Sequence, residues 1–366
     1  MSQTLQVVLK TTFALIEQFQ VSLSTTQPNP GPATSKKENQ NLDPLPLLSA
    51  SSTALKSHVT KLSLLAINFP FTPSAVAKTL STLNESVLPS LVTAALLVTP
   101  ESHTRAFQSE IRVLTGTALK ELSLLVKEVQ LIAEEKADKK SLEQAEKDAV
   151  TAVAGRIWDA CDVLVDVAAK GVVGFVVRRA QEYRDLVRDA VEEIEEWDPD
   201  EEGDEFFDDL LDDGDKYESG SGDEEDEGSE DGESSAALHA RKKSALRILK
   251  PIAQIYPALI ASRLEKVPVP LAPSNIGILE SVLKNLQQIP DHIDEVAGAL
   301  YEADHDKFRR RLRKTKESAF NAIELVVLPW DLKQTANEQE NQGDKFTAWS
   351  KTWTKVVEEV SKSIDV

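Results

Sequence analysis

Residues 198–233 cannot help to build a core. These 36 residues hold 20 Asp or Glu and one basic residue, Lys216. Like charges repel, and too few apolar residues are present to offset the entropy of ordering them. The full chain carries a formal net charge of −20. Almost all of it resides in this block, so the rest is close to neutral. Whatever folds must therefore fold from the segments on either side, with the block set between them as a disordered acidic loop, 198–234.

Those flanking segments read as helices. Apolar residues recur at spacings of three and four, the signature of one buried helical face. Leu5, Val8, Leu9, Phe13, Ile16, Phe19 and Leu23 form the first stripe. A helix from about Leu47 to Asn68 carries Leu48, Leu55, Leu62 and Leu65. Thr72-Pro73 starts a third helix, with a kink expected at Pro89. Thr99-Pro100-Glu101 reads as the start of a fourth, striped by Ile111, Leu114, Ala118, Leu122, Leu125, Val129 and Ile132. A fifth begins with a capping box at Ser141 and Gln144 and meets an end or bend at Gly171 and Gly174. A sixth ends at Trp197. Beyond the block, helices are expected over 236–264, 275–288, 291–302, 304–328 and 346–364. The proline-rich run Val267-Pro-Val-Pro-Leu-Ala-Pro273 makes a rigid connector. No sustained period-two pattern marks a strand. The expected fold is all-α: two antiparallel helical-bundle lobes, 1–136 and 137–366, the second interrupted by the acidic loop.

Chemistry-bearing motifs are sparse. Phosphate-cradling glycine loops, Gly-x-Ser-x-Gly and His-Glu-x-x-His are all missing from the sequence. With one cysteine, Cys161, no internal disulfide can form, which suits a reducing compartment. Cys161 lies among Ile157, Ala160 and Leu164 and reads as a buried, inert thiol. Asp291 and Glu295 could share a helix face and help to hold a metal, but a solvated face is the better account. No cofactor or metal is expected, and no enzymatic activity. Neither Leu88–Val98 nor Val163–Val177 is long enough for a membrane span. Leu48, Leu55 and Leu62 stand at heptad spacing, yet the turn at Phe69–Pro73 cuts the pattern, which favours core packing over a zipper. Two basic groups read as nuclear-entry signals: Arg241, Lys242 and Lys243, and Arg309, Arg310, Arg311, Arg313 and Lys314. Direct DNA binding is not expected against this net charge. Within the block, Phe206, Phe207, Leu210 and Leu211 make an apolar patch suited to a partner, and Ser221 fits an acid-directed phosphorylation site.

Lys61-Leu-Ser-Leu-Leu65 followed by Phe69-Pro-Phe-Thr-Pro-Ser-Ala75 resembles the early segment of the cyclin-D-binding proteins, the GCIP family. Val153-Ala-Gly-Arg-Ile-Trp-Asp-Ala-Cys-Asp162, running on to Ala190-Val-Glu-Glu-Ile-Glu-Glu-Trp197, is similar to that family's middle helices, as is an acidic stretch directly after them. The resemblance implies a bundle related to those of vinculin and α-catenin. It also implies a non-enzymatic regulator of cell-cycle or transcription proteins, found in nucleus and cytoplasm, whose partners are D-type cyclins and helix–loop–helix factors. The chain departs from the helix–loop–helix-zipper description of the family, since its heptads are broken and no basic region precedes them. The contact residues expected on the middle helices are Arg156, Asp159, Arg184 and Arg188. Two other readings stand beside this one: a vinculin-type cytoskeletal scaffold, and an acidic chaperone for histones or other basic proteins. The oligomeric state is left open.

Overall fold

The structure is a computed structural model that describes residues 2–25, 43–135, 142–200, 235–330 and 344–364. The acidic block beyond Asp200, with Phe206, Phe207, Leu210, Leu211 and Ser221, lies outside the described residues.

The fold is all-α, and no strand occurs among the described residues. In chain order the helices are α1 (Gln3–Ser24), α2 (Pro44–Ile67), α3 (Pro73–Thr82), α4 (Leu88–Leu97), α5 (Arg105–Glu135), α6 (Gln144–Glu196), α7 (Ser235–Ala253), α8 (Ile255–Ser262), α9 (Pro273–Tyr301), α10 (His305–Leu325) and α11 (Lys345–Ile364). They group into two compact units. The first comprises residues 1–175 with 271–280, and the second 176–270 with 281–366.

The units part within α6, whereas the sequence reading divides the chain near 136–140. The start of α6 belongs to the first unit because cross-helix pairs tie it there. Lys56 of α2 meets Asp162 at 2.6 Å, and Glu121 of α5 meets Arg156 at 2.7 Å.

In the first unit α1 packs on α3 and α5, and α2 on α4. The core is the set of stripes read from sequence: Leu5, Leu48, Leu55, Leu62, Leu122 and Leu125 are all fully buried. Leu48, Leu55 and Leu62 are thus core residues. Residues 73–97 are apolar enough in length and composition to cross a membrane. Packing accounts for that, since Leu80, Leu83, Leu88 and Leu91 lie within the core.

Local chemistry sets the helix ends. Asp43 accepts from the Leu45 amide at 3.0 Å, and Pro44 occupies the first position, so α2 starts earlier than expected. Thr104, not Thr99, caps α5 by accepting from the Phe107 amide at 3.1 Å; residues around Pro100 form a turn instead. The kink expected at Pro89 takes the form of a π-helical turn over Leu83–Val87 immediately before it. A proline ring crowds the carbonyl four residues back, and a widened turn relieves the clash.

α6 is broken at Gly171, as expected, with φ 61° and ψ −163°. An added Cβ would meet only Leu45 Cδ1, at an ordinary 3.7 Å, so the constraint is backbone conformation rather than space. This region is open essentially to glycine alone, so Gly171→Ala should cost about 1–3 kcal/mol in urea unfolding. An unchanged midpoint would show that α6 can straighten there without penalty.

The second unit is built on α7, α8, α10 and α11 with most of α9. The sequence predicts two separate helices over 275–302; α9 instead runs unbroken through Pro290. Ile289 and Ile293 are fully buried on either side of it, and that burial offsets the lost hydrogen bond. The helical stretch expected over 236–264, disturbed by Pro251 and Pro257, is divided into α7, α8 and a short 3-10 turn at Leu264–Lys266. Pro251 sits in the last turn of α7, and its carbonyl accepts from the Trp353 indole of α11 at 2.8 Å.

One buried cation organises this unit. The Arg263 side chain is 1 % exposed, yet every guanidinium N–H has an acceptor. Nε donates to the Val326 carbonyl at 2.6 Å. Nη1 donates to the Ser262 carbonyl at 3.0 Å and to Asp344 Oδ2 at 2.7 Å. Nη2 donates to the Val327 carbonyl at 2.9 Å and to Asp344 Oδ1 at 2.8 Å. Phe346 lies under the guanidinium, 4.3 Å from ring centroid to Cζ. Asp344 also caps α11 through the Thr347 amide at 3.0 Å. The carboxyl is held far below its usual range, chiefly by the Arg263 hydrogen bonds.

Candidate protein-interaction surfaces

The first surface lies at the end of α2. This helix buries Leu55, Val59, Leu62 and Ala66. Leu64 stands off that stripe and is 50 % exposed; Phe69, just past the helix end, is 55 % exposed. The helix stops at Asn68, whose extended backbone still donates to the Leu64 carbonyl at 3.1 Å. A shallow groove results, lined by Ser57, Thr60, Lys61, Leu64, Leu65, Asn68 and Pro70. Its lining combines apolar Leu64, Leu65 and Pro70 with the Ser57 and Thr60 hydroxyls, the Asn68 amide and the Lys61 cation. Such a surface can hold an apolar side chain from another protein and an acidic group beside it. It brings no acid–base pair and no nucleophile. Four of its seven lining residues, Lys61, Leu64, Leu65 and Pro70, fall within the segments Lys61–Leu65 and Phe69–Ala75.

The second surface lies where α6 ends, at the root of the acidic block. Trp197 packs edge-on against Tyr301 of α9, with ring centroids 4.9 Å apart. The Tyr301 hydroxyl donates to Glu193 at 3.0 Å; burial first, and then this carboxylate, push its pKa up to about 12. Lys242 of α7 donates to the Trp197 carbonyl. Lys250 pairs with Glu195 at 2.6 Å. Asp200 accepts from Ser235 and lies 3.0 Å from His239 Nε2, which holds its pKa below the usual carboxylate value, Ser235 contributing most. The two ends of the acidic block are therefore bonded to each other.

Helix α7 contains Arg241, Lys242, Lys243, Arg247 and Lys250 and no Asp or Glu. His239, Lys242, Lys243, Leu246, Arg247, Lys250 and Pro251 line a groove along it. Lys243 and Arg247 are exposed, without an ion pair among the described residues.

The contact residues expected on the middle helices do not gather in one unit. Arg156 and Asp159 belong to the first, Arg184 and Arg188 to the second. Arg156 is engaged with Glu121, while Asp159 is exposed. Arg184 pairs with its neighbour Asp185 at 2.9 Å, and Arg188 with Asp189 at 3.1 Å. The flank of α6 that carries Arg156 and Asp159 is ion-paired and mostly polar, apart from Val163 at 39 % exposure. Of the basic groups, Arg241 and Lys242 are half-buried and Lys243 is exposed. On α10, Arg310, Arg313 and Lys314 are exposed; Arg309 is half-buried, and Arg311 contacts Glu295. That contact engages one of the two carboxylates considered for a metal. Asp198, Asp200 and His239 have ligand atoms within 4.8 Å of one another, all exposed, but hydrogen bonds already join Asp200 to Ser235 and His239. Cys161 is fully buried, and desolvation raises its thiol to about 12, so it is a poor nucleophile.

Sequence reasoning missed the α2 groove as a site. A signal was present: Leu64 lies out of register with the Leu55–Leu62 stripe. The contacts around Trp197 carry no such signal, because they join distant residues, Glu193 and Tyr301 being 108 positions apart.

Residues 47–200 match the sequence model of a protein family described as "Grap2 and cyclin-D-interacting, N-terminal". The match begins in α2 and ends at Asp200, so it takes in the α2 groove and both halves of α6. No curated protein matches the chain at a significant level.

Proposed function

Since residues 47–200 match the family model of the Grap2 and cyclin-D-interacting (GCIP) proteins, we propose that the chain is a member of that family and a non-enzymatic regulator that binds cell-cycle or transcription proteins, a D-type cyclin first among them. The regulation is steric: a helical surface occupies its partner, and no bond is made or broken. Nucleus and cytoplasm are the expected compartments, with the α7 and α10 basic groups as the entry signals.

The observation that carries this reading is the exposure of Leu64 and Phe69. Both lie in the family-matched region, and both sit within the two segments that resemble the cyclin-D-binding proteins. The occupant expected there is an apolar helix face of the cyclin, with an acidic residue near Lys61.

The test uses the full chain and a purified D-type cyclin in isothermal titration. Leu64→Asp should weaken binding tenfold or more and leave the unfolding midpoint nearly unchanged, since that side chain is 50 % exposed and lies off the buried stripe. Undiminished binding would discard the α2 surface. No binding by the wild type would discard the cyclin reading. The charge of residues 198–233 favours a second reading, that of an acidic chaperone. In that case histone binding would vanish on deletion of 198–234 and fall steeply with salt.

A further inference from the structure

We propose that the α7 groove is occupied by a segment of this same chain, residues 204–213 of the acidic block. The inference does not depend on the identity of any outside partner.

Charge is the first argument. The groove runs along a helix with five basic residues and no acid. Lys243, Leu246, Arg247 and Lys250 fall at spacings of three and four, so they share one face. That face offers cations with an apolar strip between them, Leu246 and Pro251. The sequence Asp204-Glu-Phe-Phe-Asp-Asp-Leu-Leu-Asp-Asp213 is its complement: six acids around Phe206, Phe207, Leu210 and Leu211. Lys243 and Arg247, exposed and without an ion pair among the described residues, are the cations such a segment would neutralise.

Tethering is the second argument. His239 lines one end of the groove and lies 3.0 Å from Asp200 Oδ2, so the block leaves the fold at the groove's own edge. From His239 to Lys250 the helix rises about 16 Å. Asp204 lies four positions past Asp200, a reach of about 13 Å when extended. Residues 204–213 can therefore reach the groove from Asp200, and they are long enough to follow it. The 21 residues from Gly214 to Ser234 can span about 70 Å, ample to return to Ser235. A segment joined this closely acts at an effective concentration of about millimolar, so even a weak complementarity fills the site.

The test has two arms, both on the full chain. Chymotrypsin cleaves after Phe and Leu, so docking slows cleavage at Phe206–Leu211. At about 0.01 M salt, where the Debye length is about 30 Å, Lys243→Glu with Arg247→Glu should speed this cleavage tenfold or more. In the second arm a fluorescent peptide of residues 201–216 is titrated against the wild type. It is also titrated against a variant with Phe206, Phe207, Leu210 and Leu211 each changed to Ser. The peptide should bind the variant at least tenfold more tightly, because the competing segment is disabled. That binding should be lost when Lys243→Glu and Arg247→Glu are added. Equal cleavage rates would overturn the proposal. So would equal peptide binding to wild type and variant, which would mean a groove left open for an acidic partner in trans. Peptide binding to neither would overturn it as well. The comparison of wild type with the serine variant keeps the groove's basic residues intact, so it stands even if the charge reversal disturbs α7.

Discussion

Replacing Arg263 by Met should destabilise the second unit by about 3–5 kcal/mol, the range for breaking a buried, hydrogen-bonded ion pair. The change strands the Ser262, Val326 and Val327 carbonyls and leaves Asp344 without its main partner. It also removes the stacking partner of Phe346. Asp344 is itself 41 % exposed, so water recovers part of its loss; the larger share comes from the orphaned carbonyls. Arg263→Lys keeps the charge but has three donors for five acceptors, so an intermediate loss is expected. Denaturant unfolding followed by tryptophan fluorescence, to which Trp330 and Trp353 of this unit contribute, would measure both. A loss under about 1 kcal/mol for the Met variant would mean that the cluster is dispensable.

The same cluster sets an acid limit. The folded-state pKa of Asp344 is depressed, so its contribution is fully present above the unfolded value, about 3.9. That contribution drains away as pH falls below about 4 and on through the folded pKa. The wild type should therefore lose stability more steeply below about pH 4 than Arg263→Met does. Parallel curves would remove Asp344 from the account of acid unfolding.

Leu55→Ala should cost the first unit about 2–5 kcal/mol, the usual range for truncating a fully buried leucine. Its oligomeric state should not change. These two readouts separate the core from a zipper. In a zipper Leu55 would face a second chain, and its loss would dissociate an assembly while leaving the monomer fold intact. Here Leu48, Leu55 and Leu62 are fully buried within the chain's own packing, so the loss should appear as a lowered unfolding midpoint. Light scattering that showed a dimer becoming a monomer, with the midpoint unchanged, would reverse the assignment.

Much of this molecule is legible in its residues. The stripes through Leu5, Leu55, Leu122 and Val357 are buried faces, and helical periodicity needs only local sequence to be seen. Gly171 is readable as a break for the same reason, and the family-like segments lie within or lead into the match over 47–200. The errors come where tertiary burial outweighs a local rule. Pro290 reads as a helix stop, yet Ile289 and Ile293 keep α9 whole. Arg263 reads as one more surface cation; only the approach of residues 326, 327 and 344 makes it the most enclosed charge among the described residues.

By itself, then, the sequence determined that the chain is helical, that its charge lies in one block, and that its core runs in leucine-rich stripes. These follow from short-range spacing and composition. The tertiary structure alone decided that Leu64 and Phe69 face water, that Arg156 is engaged by Glu121, and that the acidic block is tied at its root by Asp200, Ser235 and His239. Each of these depends on which distant residue arrives as a neighbour, and helical periodicity carries no information about that.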